Sequence, residues 1–283
     1  MANFDFDQAE GLRRMLAGAK PRIVTFLSAT PQDDKGAMLV NLGASLTQAG
    51  NDVLLVDARG NEDGIAARLG VAGATLLDVA HQRCALGQAI ARVPQGFGVI
   101  SLCAARNGAR AASAQQGCAA QDAAPLARAF EALAQQAGIV IVDGAFDGDR
   151  FPVPLMASSE IVVQVSSSAA SITAAYGQIK RLSQELGRRP FGILVTGAAE
   201  AEAQVIYDNM AKAASRYLAL SLTSMGSVPA DEYLHRAARL GRAVVDAFPM
   251  AGASVAFRQL AGRFTGAAAP IALRSGSSSR ATA

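Results

Sequence analysis

Six short apolar runs rich in β-branched residues alternate with longer segments of helical periodicity, and this alternation most constrains the fold. The runs have the length and composition of strands buried on both faces, and they lie at residues 22–27, 52–56, 99–103, 139–143, 161–165 and 191–195. The helical segments, in which apolar residues recur every three or four positions, are 36–48, 121–136, 171–186 and 200–217. Strands that alternate with helices form parallel sheets through right-handed crossovers. The sequence therefore predicts an α/β fold with a doubly wound, mainly parallel sheet and helices on both faces.

The composition indicates a single large folded domain. Of the 283 residues, 51% are hydrophobic and 17% are charged, a balance typical of a packed globular protein. We assign residues 21–265 to this domain and residues 1–20 to a separate N-terminal element. From position 274 onward the chain is mostly Ser, Gly and Ala, with little to bury, so we expect residues 266–283 to form a disordered tail.

The charge and cysteine content argue against several classes of protein. The formal net charge is +3, and the Lys and Arg residues are scattered instead of gathered into a stripe, so specific nucleic-acid binding is not predicted. The N-terminus carries Asp5, Asp7 and Glu10 where a signal peptide is positive, and no apolar run reaches the roughly 18 residues that span a bilayer. The three cysteines lack the close pairs of zinc or redox motifs and fit free thiols. These features predict a cytoplasmic protein.

Three loops at one edge of the predicted sheet are the expected place for a ligand. In a doubly wound sheet the crevice lies beyond the carboxyl ends of the strands, so the loops after Leu27, Val56 and Val142 are expected to converge there. Asp57 and Asp143 close two of these strands. An aspartate at the end of a buried strand can bind a ligand, or it can cap the next turn or helix. Both interpretations stay open for the two aspartates.

The helix after the first predicted strand resembles that of a known family. Residues 37–46, AMLVNLGASL, are similar to the first helix of MinD/ParA-type ATPases. This resemblance implies a P-loop NTPase fold and places Lys35 at the Walker lysine, Asp57 near the attacking water and Asp143 at the Walker B aspartate that acts through Mg²⁺. These three residues are the nucleotide-binding candidates it implies. Asp57 is also the candidate catalytic residue, and Asp143 the metal ligand where ATP is bound.

The loop itself, residues 28–36, has lost the pattern of a phosphate-binding loop. Such loops are glycine-rich because backbone N–H groups wrap the phosphates closely, and a hydroxyl holds Mg²⁺. Here Pro31 has no N–H, residues 32–34 are Gln-Asp-Asp, and Gly36 stands in place of the hydroxyl. Two carboxylates facing the anion site would oppose binding, since unit charges ~4 Å apart repel by about 4 kcal/mol at an effective dielectric of 20. We therefore expect ATP binding to be weakened or lost, with Lys35 facing solvent and paired with one of these two acids.

Four further positions depart from the family pattern. Thr30 stands where the family has a second signature lysine, and Arg59 stands where it usually has a second aspartate. Phe146 brings a bulky aromatic next to the Walker B position, and Thr196 stands where an asparagine often reads adenine. Each departure favours decay of the nucleotide site.

The N-terminal element is similar to a motif of one branch of this family. Residues 7–16 read DQAEGLRRML, which resembles the DQAxxLR element of FlhG/FleN proteins, the MinD-like regulators of flagellar number. The pattern predicts a short helix with an N-cap and a capping box. The resemblance implies that this helix binds an FlhF-type signal-recognition GTPase and stimulates its GTP hydrolysis. The partner-binding residues that it implies are Asp7, Gln8, Ala9, Leu12 and Arg13. The alternative is that the helix packs on its own domain.

The resemblance extends along the rest of the chain. Residues 171–180, SITAAYGQIK, and the stretches 225–232 and 242–249 are similar to FlhG/FleN segments. Family members often end in an amphipathic helix that touches the membrane, and residues 254–264 carry a short apolar stripe. This implies weak peripheral membrane contact, at the cell pole or the inner membrane. The alternative, which we favour, is that the helix packs on the domain.

Three hypotheses about function follow. We favour a regulator of flagellar number and placement that acts by protein-protein interaction, with the FlhF-type GTPase and flagellar switch or regulatory proteins as partners, and without enzymatic activity or a cofactor. The second hypothesis is an active MinD-like ATPase of the same family, with ATP and Mg²⁺ and an ATP-dependent monomer-dimer cycle. The third is another MinD/ParA relative, a chromosome-partition ATPase or a cellulose-synthesis accessory protein. Saturable ATP binding that Lys35→Ala abolishes would favour the second.

Overall fold

A single sheet of eight strands runs through the part of the chain that the computed structural model describes, residues 21–59, 64–104, 120–146 and 150–265. The strands are β1 (Arg22–Ser28), β2 (Val53–Asp57), β3 (Ala91–Arg92), β4 (Gly98–Ser101), β5 (Ile139–Asp143), β6 (Glu160–Ser166), β7 (Phe191–Thr196) and β8 (Leu222–Val228). Their order is β3-β4-β2-β5-β1-β6-β7-β8. β3 pairs antiparallel with β4, and the other pairs are parallel. The predicted α/β, mainly parallel sheet is confirmed.

Helices cover both faces of this sheet. They are α1 (Lys35–Gln48), α2 (Ile65–Arg68), α3 (Leu76–Ala80), α4 (Leu86–Ala89), α5 (Ala123–Ala134), α6 (Pro154–Ser158), α7 (Ala169–Leu186), α8 (Glu200–Leu218), α9 (Glu232–Arg239), α10 (Val244–Ala247) and α11 (Gly252–Thr265). Because successive strand residues point to opposite faces, consecutive residues enter different cores. Phe26 packs in the core that contains α1 and α11, whereas Leu27 packs in the core that contains α7 and α8. The sheet is therefore doubly wound, as predicted.

The last helix of the described chain packs on the domain. In α11 the side chains of Phe257, Leu260 and Phe264 are buried, and the ring of Phe264 lies 6.0 Å from the ring of Phe26. Arg22 of β1 donates to the carbonyl of Phe264 at 2.8 Å and so binds the end of the helix. The apolar stripe proposed for a membrane contact is thus covered, and the favoured alternative is confirmed. No helix in the described ranges is long and apolar enough to cross a membrane.

Two strands, β3 and β8, were not predicted from the pattern of apolar residues, although residues 225–232, which overlap β8, resemble the closing strand of the family. β3 has only two residues, too few to show a period. β8, with the sequence LTSMGSV, is a half-buried edge strand, and its Gly226 has a positive φ of 104°. Arg263 of α11 lies against Gly226 and donates to the carbonyl of Ser224 at 3.0 Å. A basic side chain on a strand edge is a known protection against edge-to-edge pairing.

Other predictions concern the cysteines and the chain ends. Cys84 is a free thiol, as predicted. Cys103 is disulfide-bonded, so the prediction is wrong there, because spacing along the sequence does not show which cysteines a fold brings within bonding distance. The N-terminal element, residues 1–20, and the tail, residues 266–283, lie outside the described residues, and their predictions stay predictions.

Candidate functional site

The carboxyl ends of three neighbouring strands form the candidate site. β5 lies between β2 and β1 in the sheet. Asp143 of β5 stands opposite Asp57 of β2 on one side and Phe26 of β1 on the other. The loop that follows β1 leads into α1, whose first residue, Lys35, contacts Asp143. The predicted convergence of the three loops is confirmed.

Lys35 is buried and its ammonium group is fully engaged within the protein. The residue is 2% exposed, and its Nζ lies 2.7 Å from Oδ1 of Asp143. Nζ also donates to the carbonyl oxygens of Phe26, at 3.0 Å, and Gly144. An ammonium group has three N–H donors, and here three acceptors surround it. The prediction of a solvent-facing lysine paired with a neighbouring acid of its own loop is therefore wrong, since the partner comes from β5.

The pKa of Lys35 reflects this position. Burial lowers the pKa, because desolvation penalises the charged ammonium. The charge of Asp143 and its hydrogen bond act in the opposite direction. The nearby Arg59 lowers the pKa further, and Asp57 raises it slightly. Asp143 is thus the main group that opposes the effect of burial on the pKa of Lys35.

Asp143 acts as the counter-ion of Lys35. Its side chain is fully buried, and apart from Lys35 neither carboxylate oxygen has a hydrogen-bond partner among the described residues. Mg²⁺ requires a near-octahedral set of oxygen ligands. No group of three His, Cys, Asp or Glu side chains in the described ranges could hold a metal ion, and Gly36 supplies no hydroxyl. In the described structure the carboxylate of Asp143 is therefore engaged by the ammonium group of Lys35.

Asp57 has the geometry of a cap. Its Oδ1 accepts the backbone N–H of Arg59, and its Oδ2 accepts that of Ala66 in the first turn of α2, both at 3.0 Å. A Cβ on Gly64 would lie 2.2 Å from the same Oδ2, so the carboxylate rests against bare backbone. Two interpretations were open for Asp57, ligand binding and capping of the next turn or helix. These contacts correspond to capping.

The loop after β1 folds into a short 3₁₀ turn, Pro31–Asp33, stabilised by its own acids. The buried Asp33 carboxylate accepts the N–H of Thr30 at 2.8 Å. Asp34, with a φ of 43°, accepts the N–H of Ala37 at 3.3 Å and forms an ion pair with Arg68. Both carboxylates of the loop therefore have partners within the domain.

The sequence of this chain matches a known protein over most of its length. Antiactivator FleN of Pseudomonas aeruginosa is 30% identical over 225 residues, which are 78% of each protein. The chain belongs to the FleN family. No protein-family model matches the sequence of this FleN-family member.

Solved structures show that the FleN-family chain has the MinD/ParA fold. The septum site-determining protein MinD from Pyrococcus horikoshii, complexed with Mg-ADP, aligns with a TM-score of 0.64 at 17% identity, over 87% of this chain and 96% of that chain. A ParA family ATPase from Chlorobium tepidum aligns with a TM-score of 0.60 at 16% identity, over 85% and 97% of the two chains. At these identities the likeness establishes the fold. The predicted P-loop NTPase fold is confirmed.

A buried glutamine that was not predicted as a site residue connects the loop of this FleN-family chain to β7. Gln164 of β6 is 1% exposed, and its Nε2 donates to the carbonyl of Asp33 and, at 3.3 Å, to Oγ1 of Thr196. Thr196, at the position where the family often reads adenine, is thus bound within the protein. The available signal was a polar residue inside the apolar run IVVQV, where the rest of the strand is buried on both faces.

The start of the SITAAYGQIK segment is bound to the same loop. Ser171, fully buried, donates through Oγ to Oδ2 of Asp33 at 3.2 Å and accepts the N–H of Ser166 at 2.9 Å. Ser168 caps α7 by accepting the N–H of Ser171 at 3.1 Å. One of the FleN-like segments is therefore bound to the loop between β1 and α1.

The remaining candidates divide between core packing and the undescribed N-terminus. Phe146 is 3% exposed, and its ring lies 5.1 Å from that of Phe151, so it is a core residue of the FleN-family domain. The partner-binding candidates lie outside the described residues; they are Asp7, Gln8, Ala9, Leu12 and Arg13.

Proposed function

We propose that this protein regulates flagellar number and placement by binding other proteins, and that it does so without ordinary ATP binding. The family supports the first part, because the P. aeruginosa relative is named an antiactivator. The second part is carried by one observation, that the three N–H donors of Lys35 already have three acceptors inside the domain. A phosphate group would have to displace at least one of them.

The backbone of the loop supports the same proposal. Anion-binding loops hold phosphates with free N–H groups. Pro31 has none, and several other N–H groups in and after the loop already donate within the protein. They belong to Ala29, Thr30, Asp33 and Ala37. Fewer backbone donors are therefore available to a phosphate than in a loop whose N–H groups all point to the anion.

The Asp33 side chain gives the loop an anion of its own. A carboxylate presents two acceptor oxygens, and Oδ2 of Asp33 is bound by a loop N–H and by the hydroxyl of Ser171. An external phosphate would compete with this group and would also meet its negative charge. We infer that the residues at the position of the nucleotide site now serve a structural role and connect the loop to the start of α7.

The proposed partner is an FlhF-type GTPase, bound through the N-terminal element DQAEGLR. Flagellar switch or regulatory proteins are the further partners that we propose for the domain surface, and a homodimer is compatible with the family. We place the protein in the cytoplasm, at the cell pole or the periphery of the inner membrane.

An active ATPase is the second candidate. It is favoured by the retention of Lys35 and Asp143 at the ends of the loop and β5, in a fold shared with a MinD that was solved with Mg-ADP. In that case ATP and Mg²⁺ would be its cofactors, and the Lys35 to Asp143 contact would open when nucleotide binds. The similarity to antiactivator FleN, which extends over 78% of the chain, argues against a partition or cellulose-synthesis protein.

GTP hydrolysis by an FlhF-type GTPase tests the favoured function. The full-length chain is expected to stimulate hydrolysis, and Leu12→Ala/Arg13→Ala is expected to remove the stimulation. Arg14→Ala, a neighbouring arginine outside the DQAxxLR pattern, serves as the matched control and should retain it. Equal stimulation by all three proteins would contradict the proposed role of the element.

A further inference from the structure

The surface formed by α9, α10 and α11 is strongly basic. Residues 232–265 contain five arginines and two carboxylates, so their net charge is +5 − 2 = +3, as large as that of the whole chain. The five arginines are exposed. They are Arg236, Arg239, Arg242, Arg258 and Arg263.

These arginines have unused hydrogen-bonding capacity. Among the described residues none of the five forms an ion pair with a carboxylate. Arg242 donates to the carbonyl of Asp246 at 3.1 Å, and Arg258 donates to that of Pro249 at 2.8 Å. A guanidinium has five N–H donors, so most of its donors stay available. The Asp246 carboxylate lies on the same surface, where it accepts a hydrogen bond from Gln48 and forms no ion pair with these arginines.

The same surface is also apolar in part. Among the described residues five large hydrophobic side chains are exposed, and three of them lie here: Leu240 at 61%, Met250 at 89% and Val255 at 41%. A groove of about 520 Å³ runs between Arg242 and Arg258. We call it the arginine groove. Exposed apolar side chains beside unpaired charges mark interaction surfaces, and this one fits an acidic segment that carries apolar side chains.

The N-terminal element contains such a segment. Residues 4–10 read FDFDQAE, with three carboxylates, two phenylalanines and no basic residue. The chain enters the domain beside the end of α11, because Arg22 donates to the carbonyls of Arg263 and Phe264. Arg258 lies six residues before Phe264, or ~9 Å along the helix axis. The 11 residues from position 10 to position 21 span up to ~36 Å when extended, so residues 4–10 can reach the groove.

We propose that residues 4–10 dock in the arginine groove of their own domain when no partner is bound. The carboxylates of Asp5 and Asp7 pair with Arg242 and Arg258, and the phenylalanine rings cover the exposed apolar side chains beside them. Because Asp7 belongs to both contacts, docking on the domain and binding of the GTPase exclude each other. This inference rests on the proposed function, and the docked form is the resting state of the regulator. Docking can be tested in the absence of the GTPase.

Fluorescence of a single tryptophan tests this docking. The chain has no Trp, so Phe6→Trp in the full-length protein is a unique reporter. Its emission is expected to be blue-shifted and shielded from acrylamide, and both effects are expected to disappear with Arg242→Glu/Arg258→Glu. High salt should weaken them, since at 1 M the screening length falls to about 3 Å. Adding Asp5→Lys/Asp7→Lys to the glutamate variant should restore them.

A matched control changes two exposed arginines elsewhere. Arg181→Glu/Arg188→Glu makes the same charge change near the end of α7 and should leave the emission unchanged; circular dichroism checks that each variant is folded. A solvent-exposed tryptophan in the reporter protein would overturn the proposal. So would emission that does not respond to the groove variants, or emission that depends on protein concentration, which would show docking on a second copy. A third outcome would also overturn the proposal. If the tryptophan is exposed and the groove arginines are needed only for binding to phosphatidylserine vesicles, the surface binds a membrane.

Discussion

Nζ of Lys35 lies 2.7 Å from Oδ1 of Asp143, and neither side chain is open to solvent. Buried ions are costly unless they are paired, and removal of one partner leaves the other uncompensated. Lys35 and Asp143, which resemble nucleotide-binding positions of the family, thus form an ion pair with each other inside the protein.

Substitution of Lys35 tests this pairing through stability. Lys35→Met is expected to lower the free energy of unfolding by about 3–5 kcal/mol, because Asp143 stays buried without its counter-ion. The double variant Lys35→Met/Asp143→Leu should regain most of the loss. Urea unfolding measures both, with the exposed Lys180→Met as the control. A Lys35→Met protein as stable as the parent would show that the lysine is not buried.

Calorimetric titration with ATP and Mg²⁺ tests the state of the nucleotide site. We expect no saturable heat at micromolar ATP, because the donors of Lys35 and several N–H groups of the loop are occupied. Lys35→Ala should give the same flat titration as the parent. Micromolar binding that this variant abolishes would establish the ATPase alternative.

The internal anion of the loop gives a third prediction. Asp33→Ala should lower the free energy of unfolding by about 1–3 kcal/mol, because the N–H of Thr30 and the hydroxyl of Ser171 lose their acceptor. Inorganic phosphate should raise the Tm of this variant more than that of the parent, since an anion can now enter. Glu202→Ala, an exposed acid on α8, is the control. An equal phosphate effect on all three proteins would contradict the role of Asp33.

The capping role of Asp57 predicts a strong effect at Gly64. Gly64→Ala would place a Cβ 2.2 Å from Oδ2 of Asp57, so the cap on α2 must shift. We expect a loss of about 1–3 kcal/mol, typical of an atom forced into a filled space. Gly73→Ala, where the added carbon meets nothing within 4 Å, should be close to neutral. Thermal unfolding compares them, and similar Tm values would argue against the cap.

The packing of α11 separates a structural helix from a membrane anchor. Phe264→Ala is expected to cost about 3–5 kcal/mol, because a buried ring against Phe26 is removed. Sedimentation with phosphatidylserine vesicles should not change, since the ring is not available to lipid. The exposed Gln259→Ala should affect neither measurement. Loss of vesicle binding with unchanged stability would restore the membrane interpretation.

The fold was predictable from the sequence, whereas the state of the site was predictable only in part. The six main strands follow from local patterns of apolar residues, which two buried faces impose. The position of Lys35 at the start of α1 follows from the resemblance of residues 37–46 to the MinD/ParA helix. The burial of Lys35 depends on Asp143, which is distant in sequence, and a charged residue beside two acids gave no local sign of it. Likewise, nothing in the sequence of the loop indicates that Asp33 is buried and accepts a hydrogen bond from Ser171.

The carboxylate that accepts hydrogen bonds from Thr30 and Ser171 belongs to Asp33 and is therefore part of the polypeptide. Its local concentration is set by chain geometry and does not vary with any metabolite pool. Under the proposed function, a site filled in this way does not respond to the ATP concentration of the cell.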